Sequence, residues 1–525
     1  LVVLPGGSIH SGDTLTISWN DRNDGTVDTG SGFSDHVVVV NTNTAETLLN
    51  TTVFYNPAST GNGPIPPGGS RPFSTALPLP DGPRGVGALQ ITVTADTFNQ
   101  LPEANASGTA EANNTVSTTA VSSTAAYPDL QVINLSVQPD TLASGTNVTI
   151  HWQDTNTGNA TAAANWYDHV TVVNTNNGVT LLDTTVLYGT NALGPLTNGT
   201  ARDRSYSFTL PNGPNAVGNL QFTVTADTFN NLFEYNLGGT GESNNTASVV
   251  VGSSIAPYPD LQVVNLDVQP ATLASGTNVT VRWQDANTGN APAPGNWYDH
   301  VTVVNTNGGV TLLDTTVFYD TNVLGPLTNG TARDRSYNFA LPYATNGAGD
   351  LLFTITADTF NNLFEYNSSG TGESNNSSSI VRSSNLTPLP DLIVTGLTAP
   401  ASALTDHAIS VQFHVANQGL LAADGNIGQR VFVSSTPTPG SGTLAAVTAF
   451  NGPLEAGQGV DQTVTVQTPS APGTYWLIAQ ADASDNVQEL SENNNFFVSA
   501  TPLTVQPAYT ATPLRRRRSC PSRST

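Results

Sequence analysis

The chain has no lysine and no methionine, and its only cysteine is Cys520 near the end. A single cysteine cannot form a disulfide within the chain, so each domain must be stable through its apolar core and hydrogen bonds. No apolar run approaches the roughly 18 residues of a membrane-spanning helix, and none resembles the apolar centre of a signal peptide. Since the first residue is not methionine, we expect a fragment of an exported protein whose signal lies upstream.

Positive charge is scarce, because 15 arginines stand against 39 acidic residues and give a formal net charge of −24. Five of these arginines lie within residues 515–525, so the rest of the chain is more acidic still. A field of this sign repels nucleic acid and anionic lipid and attracts cations. The composition therefore excludes nucleic acid as a partner.

Internal repetition is abundant. The segment ADTFNNLFEYNLGGTGESNN at 226–245 returns with few changes at 357–376 and 95–114, and a shorter relative occupies 481–494. Such repetition is typical of a modular array. We predict four domains and a tail, here called repeat 1 (1–127, truncated at its start), repeat 2 (128–258), repeat 3 (259–389), repeat 4 (390–505) and a disordered basic tail (506–525).

Alternating apolar residues predict half-buried strands. In repeat 2, Val148, Ile150 and Trp152 alternate with polar residues, which places the apolar set on one face. The same repeat contains seven such runs, separated by turn signals, and no segment has a helical period. Seven short strands in roughly 120 residues predict an all-β fold, a tandem array of immunoglobulin-like β-sandwich domains.

Repeat 4 resembles the bacterial CARDB domain, a cell-adhesion-related module of exported proteins. The resemblance rests on its Pro-Asp-Leu opening, on Asn417-Gln418-Gly419, and on the closing run from Asp482 through Glu489 to Asn494. The three longer repeats have extra loop residues and Asn-Thr-Gly or another triplet in place of Asn-Gln-Gly. The resemblance implies an immunoglobulin-like fold and an extracellular connecting or adhesive role.

In an antiparallel sandwich of seven strands, the loops that carry the acidic residues lie at the same end of the domain. We therefore predict a calcium site at that end of each repeat, since calcium takes carboxylate and amide oxygens. The alternative is that the aspartates and asparagines bond to their own turns while the glutamates are solvated. The candidate ligands, by repeat, are Asp96, Glu103 and Glu111; Asp227, Glu234 and Glu242; Asp358, Glu365 and Glu373; and Asp482, Glu489 and Glu492.

Two aromatic pairs, Trp166-Tyr167 and Trp297-Tyr298, stand next to acidic loops and could stack on a sugar. The alternative is that they cover the end of the sandwich as partly buried core residues. His169 follows Asp168, but neighbours on a strand point to opposite faces, so they predict no catalytic dyad.

Arginines inside the repeats are expected to form ion pairs with the acidic loops, and each pair contributes modestly to stability if it is exposed. Repeat 2 carries Arg202 and Arg204, and we expect Arg71 to occupy the place of Arg204 in repeat 1.

No pattern of a nucleophile, a base or a His-rich metal site is present. The sequence therefore predicts a non-catalytic extracellular repeat protein, adhesive or spacing in role, that contacts an unidentified surface or matrix protein or polysaccharide. Two alternatives stay open: a carbohydrate-binding array, and the accessory region of a larger exported enzyme.

Overall fold

The computed structural model describes residues 1–508, and the predicted basic tail beyond Ala508 lies outside the described residues. The chain forms two compact units, residues 1–256 and the residues from 257 onward. No helix within 1–508 is long and apolar enough to cross a membrane.

Strands dominate every repeat, and apart from two one-turn helices and three 3₁₀ turns the remainder is loop. Repeat 1 contains β1 (Val2–Leu4), β2 (Ile9–His10), β3 (Thr14–Arg22), β4 (Phe33–Asn41), β5 (Glu46–Tyr55), β6 (Ser70–Pro78), β7 (Gly87–Thr94) and β8 (Thr115–Ser123). Repeat 2 contains β9 (Leu130–Gln138), β10 (Leu142–Ala143), β11 (Asn147–Asn156), β12 (Trp166–Asn174), β13 (Val179–Tyr188), α1 (Thr190–Leu193), β14 (Ala201–Thr209), β15 (Gly218–Thr225) and β16 (Thr246–Ser254).

Repeats 3 and 4 follow the same order. Repeat 3 contains β17 (Leu261–Gln269), β18 (Leu273–Ala274), β19 (Asn278–Asn287), β20 (Trp297–Asn305), β21 (Val310–Tyr319), α2 (Thr321–Leu324), β22 (Ala332–Ala340), β23 (Gly349–Thr356) and β24 (Ser377–Asn385). Repeat 4 contains β25 (Leu392–Thr398), β26 (Ser402–Leu404), β27 (Ala408–Asn417), β28 (Asn426–Ser434), β29 (Thr443–Asn451), β30 (Gly459–Gln467), β31 (Gly473–Gln480), β32 (Phe496–Val498) and β33 (Leu503–Gln506). The 3₁₀ turns are Gly82–Gly85, Pro214–Ala216 and Ala344–Gly347.

Each repeat is a sandwich of a smaller and a larger sheet. In repeat 2 the three-stranded sheet has the order β14-β11-β9 and the five-stranded sheet the order β10-β16-β15-β12-β13. All seven predicted strands of this repeat are present, and the all-β immunoglobulin-like prediction is confirmed. The additional two-residue strand β10 pairs in parallel with β16, a pairing too short for the period-two pattern to reveal.

The core lies between the two sheets. Val148, Ile150 and Trp152 face inward on β11 and are at most 1% exposed, as their alternation predicts. Burying each large apolar side chain contributes roughly 1.5–3 kcal/mol. Because no disulfide is possible, this apolar burial and the bonds that close the ends of the sandwich must stabilise each repeat.

The Asn-Gln-Gly triplet of repeat 4 closes one end of the sandwich. Asn417 is fully buried; its Nδ2 donates to the carbonyls of Leu421 and Leu454 at 2.8 Å each, and its Oδ1 accepts from the Asp391 and Gly419 amides at 3.1 and 3.0 Å. A Cβ on Gly419 would lie 2.5 Å from the Leu389 carbonyl oxygen, so only glycine fits there. The triplet is thus a structural joint.

We expect Asn417→Ala to reduce the free energy of unfolding of repeat 4 by roughly 3 kcal/mol, because the buried Asp391 and Gly419 amides lose their acceptor and the Leu421 and Leu454 carbonyls each lose a donor. Hydrogen exchange of amides in β27 and β31 measures the loss. The control Asn451→Ala removes an exposed side chain whose bond joins only Asn426 and should change exchange little. Equal effects of the two substitutions would contradict the assignment.

Candidate functional site

The aspartates that follow the sixth long strand of each repeat organise their own loop. Asp227 adopts a φ of 45°, and its carboxylate accepts the Asn231 and Leu232 amides at 2.8 Å each. Burial raises its pKa, and these two amides oppose the rise. Asp96, Asp358 and Asp482 accept the equivalent pairs of amides.

The first glutamate of each loop is buried in repeats 2 to 4. Glu234 is 2% exposed; its Oε1 accepts from Asn245 Nδ2 at 3.0 Å, and its Oε2 accepts from the Leu130 amide at the start of β9. Burial raises the pKa of Glu234 to about 8, although the Leu130 amide lowers it. Glu365 and Glu489 make the same two bonds, so these glutamates are not the solvated groups that the sequence alternative described.

The second glutamate of each loop is more exposed and braces the first. Glu242 accepts the Glu234 amide at 2.7 Å through one carboxylate oxygen. Glu373 and Glu492 do the same for Glu365 and Glu489, and in repeat 1 Glu111 accepts the Glu103 amide at 2.9 Å. The structure therefore brings together the predicted acidic residues of each repeat, but much of their bonding capacity is used within the loop.

Some buried oxygens in these loops have no donor. The side-chain oxygens of Asn244 and Asn245 are buried without a hydrogen-bond partner, while Asn244 Nδ2 donates to Asp129 at 3.0 Å. The same oxygens lack partners in repeats 3 and 4, at Asn375, Asn376, Asn494 and Asn495. Within residues 1–508, however, no group of three or more His, Cys, Asp or Glu side chains has the arrangement of a metal site. Calcium binding stays a prediction.

The aromatic pairs divide between core and surface. Trp166 is fully buried, stacks on Tyr188 with ring centroids 3.7 Å apart and donates through Nε1 to Asp168 at 3.1 Å; Trp297 is equally buried and stacks on Tyr319. Their assignment as ligand-binding residues is therefore wrong, because no ligand can reach the rings.

The tyrosines of those pairs point outward. In repeat 3, Tyr298 is 37% exposed and lies beside Phe318 and Phe360, which are 42% and 61% exposed. Tyr298 is 4.7 Å from Phe318 and 5.7 Å from Phe360 between ring centroids. We call these three residues the aromatic patch; repeat 2 has Tyr167, Leu187 and Phe229 at the corresponding positions.

A buried polar cluster lies behind the tryptophans, and the sequence did not predict it. Arg204 NH2 lies 3.1 Å from Asp168 Oδ2, and Arg204 Nε lies 3.7 Å from Asp154 Oδ2. Both aspartates are fully buried and the arginine side chain is 5% exposed, so Arg204 forms the expected ion pairs, but inside the core. The alternation of Arg204 with Tyr206 and Phe208 along β14 was the signal for its inward direction.

The same cluster differs between repeats. Repeat 3 retains it as Asp285, Asp299 and Arg335. In repeat 1, Phe73 stands opposite Trp19, where Arg204 stands opposite Trp152. The expectation that Arg71 takes this place is wrong, because Arg71 is two residues away and pairs in register with Asp21.

Histidines next to these strands face the solvent side of the sheet. His169 Nε2 lies 2.8 Å from Asp183 Oδ1, while Asp168 faces the core. This confirms that His169 and Asp168 form no dyad. Within residues 1–508, the candidate sites thus consist of hydrogen-bonded acidic loops, buried asparagine oxygens without donors and the exposed aromatic patch.

Comparisons with known proteins found one matching family and several similar solved structures. The CARDB family model matches residues 127–249 and 389–499. A crystal structure of a CARDB domain from Pyrococcus furiosus, described as in complex with di-metal ions, is 24% identical, covers 24% of this chain and 100% of its own, and has a TM-score of 0.20. The solution structure of that domain is 25% identical over 23% of this chain and 98% of its own, with a TM-score of 0.19.

A third structure, Escherichia coli alpha-2-macroglobulin, is 10% identical and covers 95% of this chain and 31% of its own, with a TM-score of 0.18. No curated protein matches the chain.

Proposed function

Because this chain carries CARDB domains, in residues 127–249 and 389–499, we propose that it is an extracellular, non-catalytic repeat region that spaces or presents adhesive surfaces. CARDB domains are adhesion-related repeats and the family is not catalytic. A spacer must resist bending between its domains, so the decisive feature is the junction between neighbouring repeats.

The observation that carries the proposal is the bonding of Tyr127 between repeats 1 and 2. Its hydroxyl donates to Asp81 Oδ1 at 3.0 Å and accepts the Gly82 amide at 3.1 Å, both in repeat 1. Its ring packs edge-on against Phe233 of repeat 2 with centroids 5.0 Å apart. Tyr127 is 7% exposed, so water does not replace these contacts.

The backbone of Tyr127 is also fixed to repeat 2. Its amide donates to Asn159 Oδ1 at 2.8 Å, and its carbonyl accepts the Asn159 and Ala160 amides at 3.0 and 3.1 Å. One residue is therefore anchored by its main chain to one domain and by its hydroxyl to the other. Such a linker leaves little freedom for bending.

Calcium is the finer part of the proposal. The orphaned oxygens of Asn244 and Asn245 lie in a loop that also holds Glu234 and Glu242, and amide and carboxylate oxygens are the ligands that calcium prefers. A bound cation would offset part of the net charge of −24 and would brace the loop that holds Glu234.

A carbohydrate-binding array is the second candidate, favoured by the exposed aromatic patch of repeat 3. Its rings lie on the outer face of the larger sheet, where a sugar ring could stack on them. Repeat 4 has Gly428 and Ala449 in the register positions of Tyr298 and Phe318, so only some of the repeats would bind.

We expect Tyr127→Phe to broaden the distribution of distances between repeats 1 and 2, because the ring stays while the bonds to Ser11, Asp81 and Gly82 are lost. The loss corresponds to roughly 1–3 kcal/mol of coupling. Pulsed electron-spin spectroscopy on full-length protein, with Cys520→Ser and labels at Ser117 and Ser248, measures the distribution. Tyr167→Phe is the control, and an unchanged width in Tyr127→Phe would argue against a stiff junction.

For calcium, we expect metal-stripped protein to melt several degrees higher in millimolar calcium, because a ligand that binds only the folded state stabilises it. Glu242→Gln with Glu373→Gln retains the oxygen that accepts the neighbouring amide but removes the charge, and should reduce the shift. The matched control, Asp183→Asn with Asp314→Asn, neutralises exposed carboxylates on the sheet face. If calcium does not change the melting temperature, the proposed cation site is wrong, while the proposed spacer role is unaffected.

For carbohydrate, we expect Tyr298→Ala with Phe360→Ala to lower retention on an insoluble polysaccharide about tenfold, which corresponds to about 1.4 kcal/mol. Tyr343→Ala removes another exposed ring, 49% exposed, and serves as the control. Absence of retention on a panel of neutral and acidic polysaccharides would sink this candidate.

A further inference from the structure

Repeat 1 contains two neighbouring carboxyl groups without a cation between them: Asp35 in the core and the half-buried Asp21 beside it. Asp35 is fully buried, and its Oδ2 accepts from Trp19 Nε1 at 2.8 Å while its Oδ1 accepts the Asp96 amide at 3.4 Å. Asp21 lies within hydrogen-bonding reach of Asp35. The Oδ2 atom of Asp21 is buried, and no donor reaches it.

Repeats 2 and 3 place an arginine at this point, and repeat 1 places a phenylalanine. In repeat 2 the Arg204 guanidinium carbon lies 5.1 Å from the Tyr188 ring centroid. In repeat 1 the Phe73 ring lies 5.5 Å from the equivalent Tyr55 ring and stacks on Trp19 at 5.7 Å. Phe73 thus fills the space of the guanidinium but brings no charge.

Other charged groups around the pair do not replace that arginine. Arg71 donates to the Tyr55 hydroxyl at 3.2 Å and to the Asn62 carbonyl at 2.6 Å, and Arg22 pairs with Asp24 at 2.7 Å. Asp96 adds a further negative charge, although its own carboxylate accepts the Gln100 and Leu101 amides. Among residues 1–508, no ion pair reaches Asp21 or Asp35.

Asp35 is fully buried and Asp21 has a buried oxygen next to it, so the two carboxylates cannot both ionise without a large desolvation and repulsion penalty. Asp35 already accepts two N–H groups, so it is the partner suited to carry the negative charge. We propose that Asp21 is protonated in the folded protein and donates to Asp35, so that repeat 1 depends on one bound proton and loosens as the pH rises. Repeats 2 and 3 have a permanently charged arginine at this point, so their stability depends less on pH.

The direction of the titration agrees with the geometry. Burial, followed by the charge of Asp35, raises the pKa of Asp21 to about 8. An unfolded aspartate has a pKa of roughly 3.9. Because the pKa of Asp21 is higher in the folded state, its proton stabilises folded repeat 1. This contribution is complete below about pH 4, falls as the pH rises, and is lost above about pH 8. In repeat 2, burial also raises the pKa of Asp154 and of Asp168, but there Arg204 opposes the rise for both; within residues 1–508, repeat 1 has no cation that does so.

Hydrogen exchange on the full chain between pH 5 and pH 9, corrected for intrinsic exchange rates, tests the proposal repeat by repeat. Amides in β3 and β4 should lose protection as the pH rises, and the equivalent amides in β11 and β12 should lose less. The limiting slope for repeat 1 corresponds to about one proton released on opening.

Asp21→Asn is the diagnostic variant, because its amide donates to Asp35 at every pH. In Asp21→Asn, the hydrogen-exchange protection of repeat 1 should depend less on pH. At pH 9 the amides of β3 and β4 should be better protected in this variant than in the wild type. Asp35→Asn is the matched control: it loses one of the acceptors for Trp19 and Asp96 and should weaken repeat 1 at every pH. Phe73→Arg supplies the missing cation and should also reduce the slope.

Retention of the wild-type slope in a folded Asp21→Asn protein would overturn the proposal. Equal slopes for β3 and β11 in the wild type would overturn the distinction between repeats. If Asp21→Asn fails to fold, the Phe73→Arg slope and the comparison of repeats 1 and 2 in the wild type decide the question.

Discussion

The carboxylate of Glu234 joins the two ends of its repeat. It accepts the Leu130 amide at the beginning of the first strand and the Asn245 amide group just before the last strand. These ends are 115 residues apart in the sequence and have no disulfide between them. Because the carboxylate is buried, its loss would leave backbone and amide donors without partners, so the closure of the sandwich depends on it.

The acidic loop that closes repeat 2 also lies at its junction with repeat 1. The loop that holds Glu234 also presents Phe233 to Tyr127, so the bonds that close repeat 2 also position a ring at its junction with repeat 1. A residue ordered inside one domain thereby contributes to the contact between two. The closure of repeat 2 and its contact with repeat 1 therefore depend on neighbouring residues of one loop.

The repeats keep one fold while they change the charge inside it. At the position of Arg204, repeat 1 has Phe73 and repeat 4 has Gln462, opposite Phe413. Repeat 4 also replaces the second buried aspartate by Gln429, which is fully buried. Apolar burial specifies the sandwich in each case, whereas the charge of the polar cluster differs from repeat to repeat.

The sequence by itself determined the fold class and the faces of the strands. Alternation along β11 placed Trp152 inward, and repetition of the ADTFNN segment marked the modules, because period and repetition are local properties of the chain. It also suggested that Asp227 bonds its own turn, since that contact spans only five residues.

Only the tertiary structure decided which polar groups meet inside the core. Asp154, Asp168 and Arg204 belong to three different strands, and their contact depends on the register of β11 with β14 and on the packing of two sheets. The same register assigned Phe73, rather than Arg71, to the arginine position. Sheet packing also buried Trp166 and exposed Tyr167, because adjacent residues of a strand face opposite sides and only the assembled sandwich defines which side is the interior.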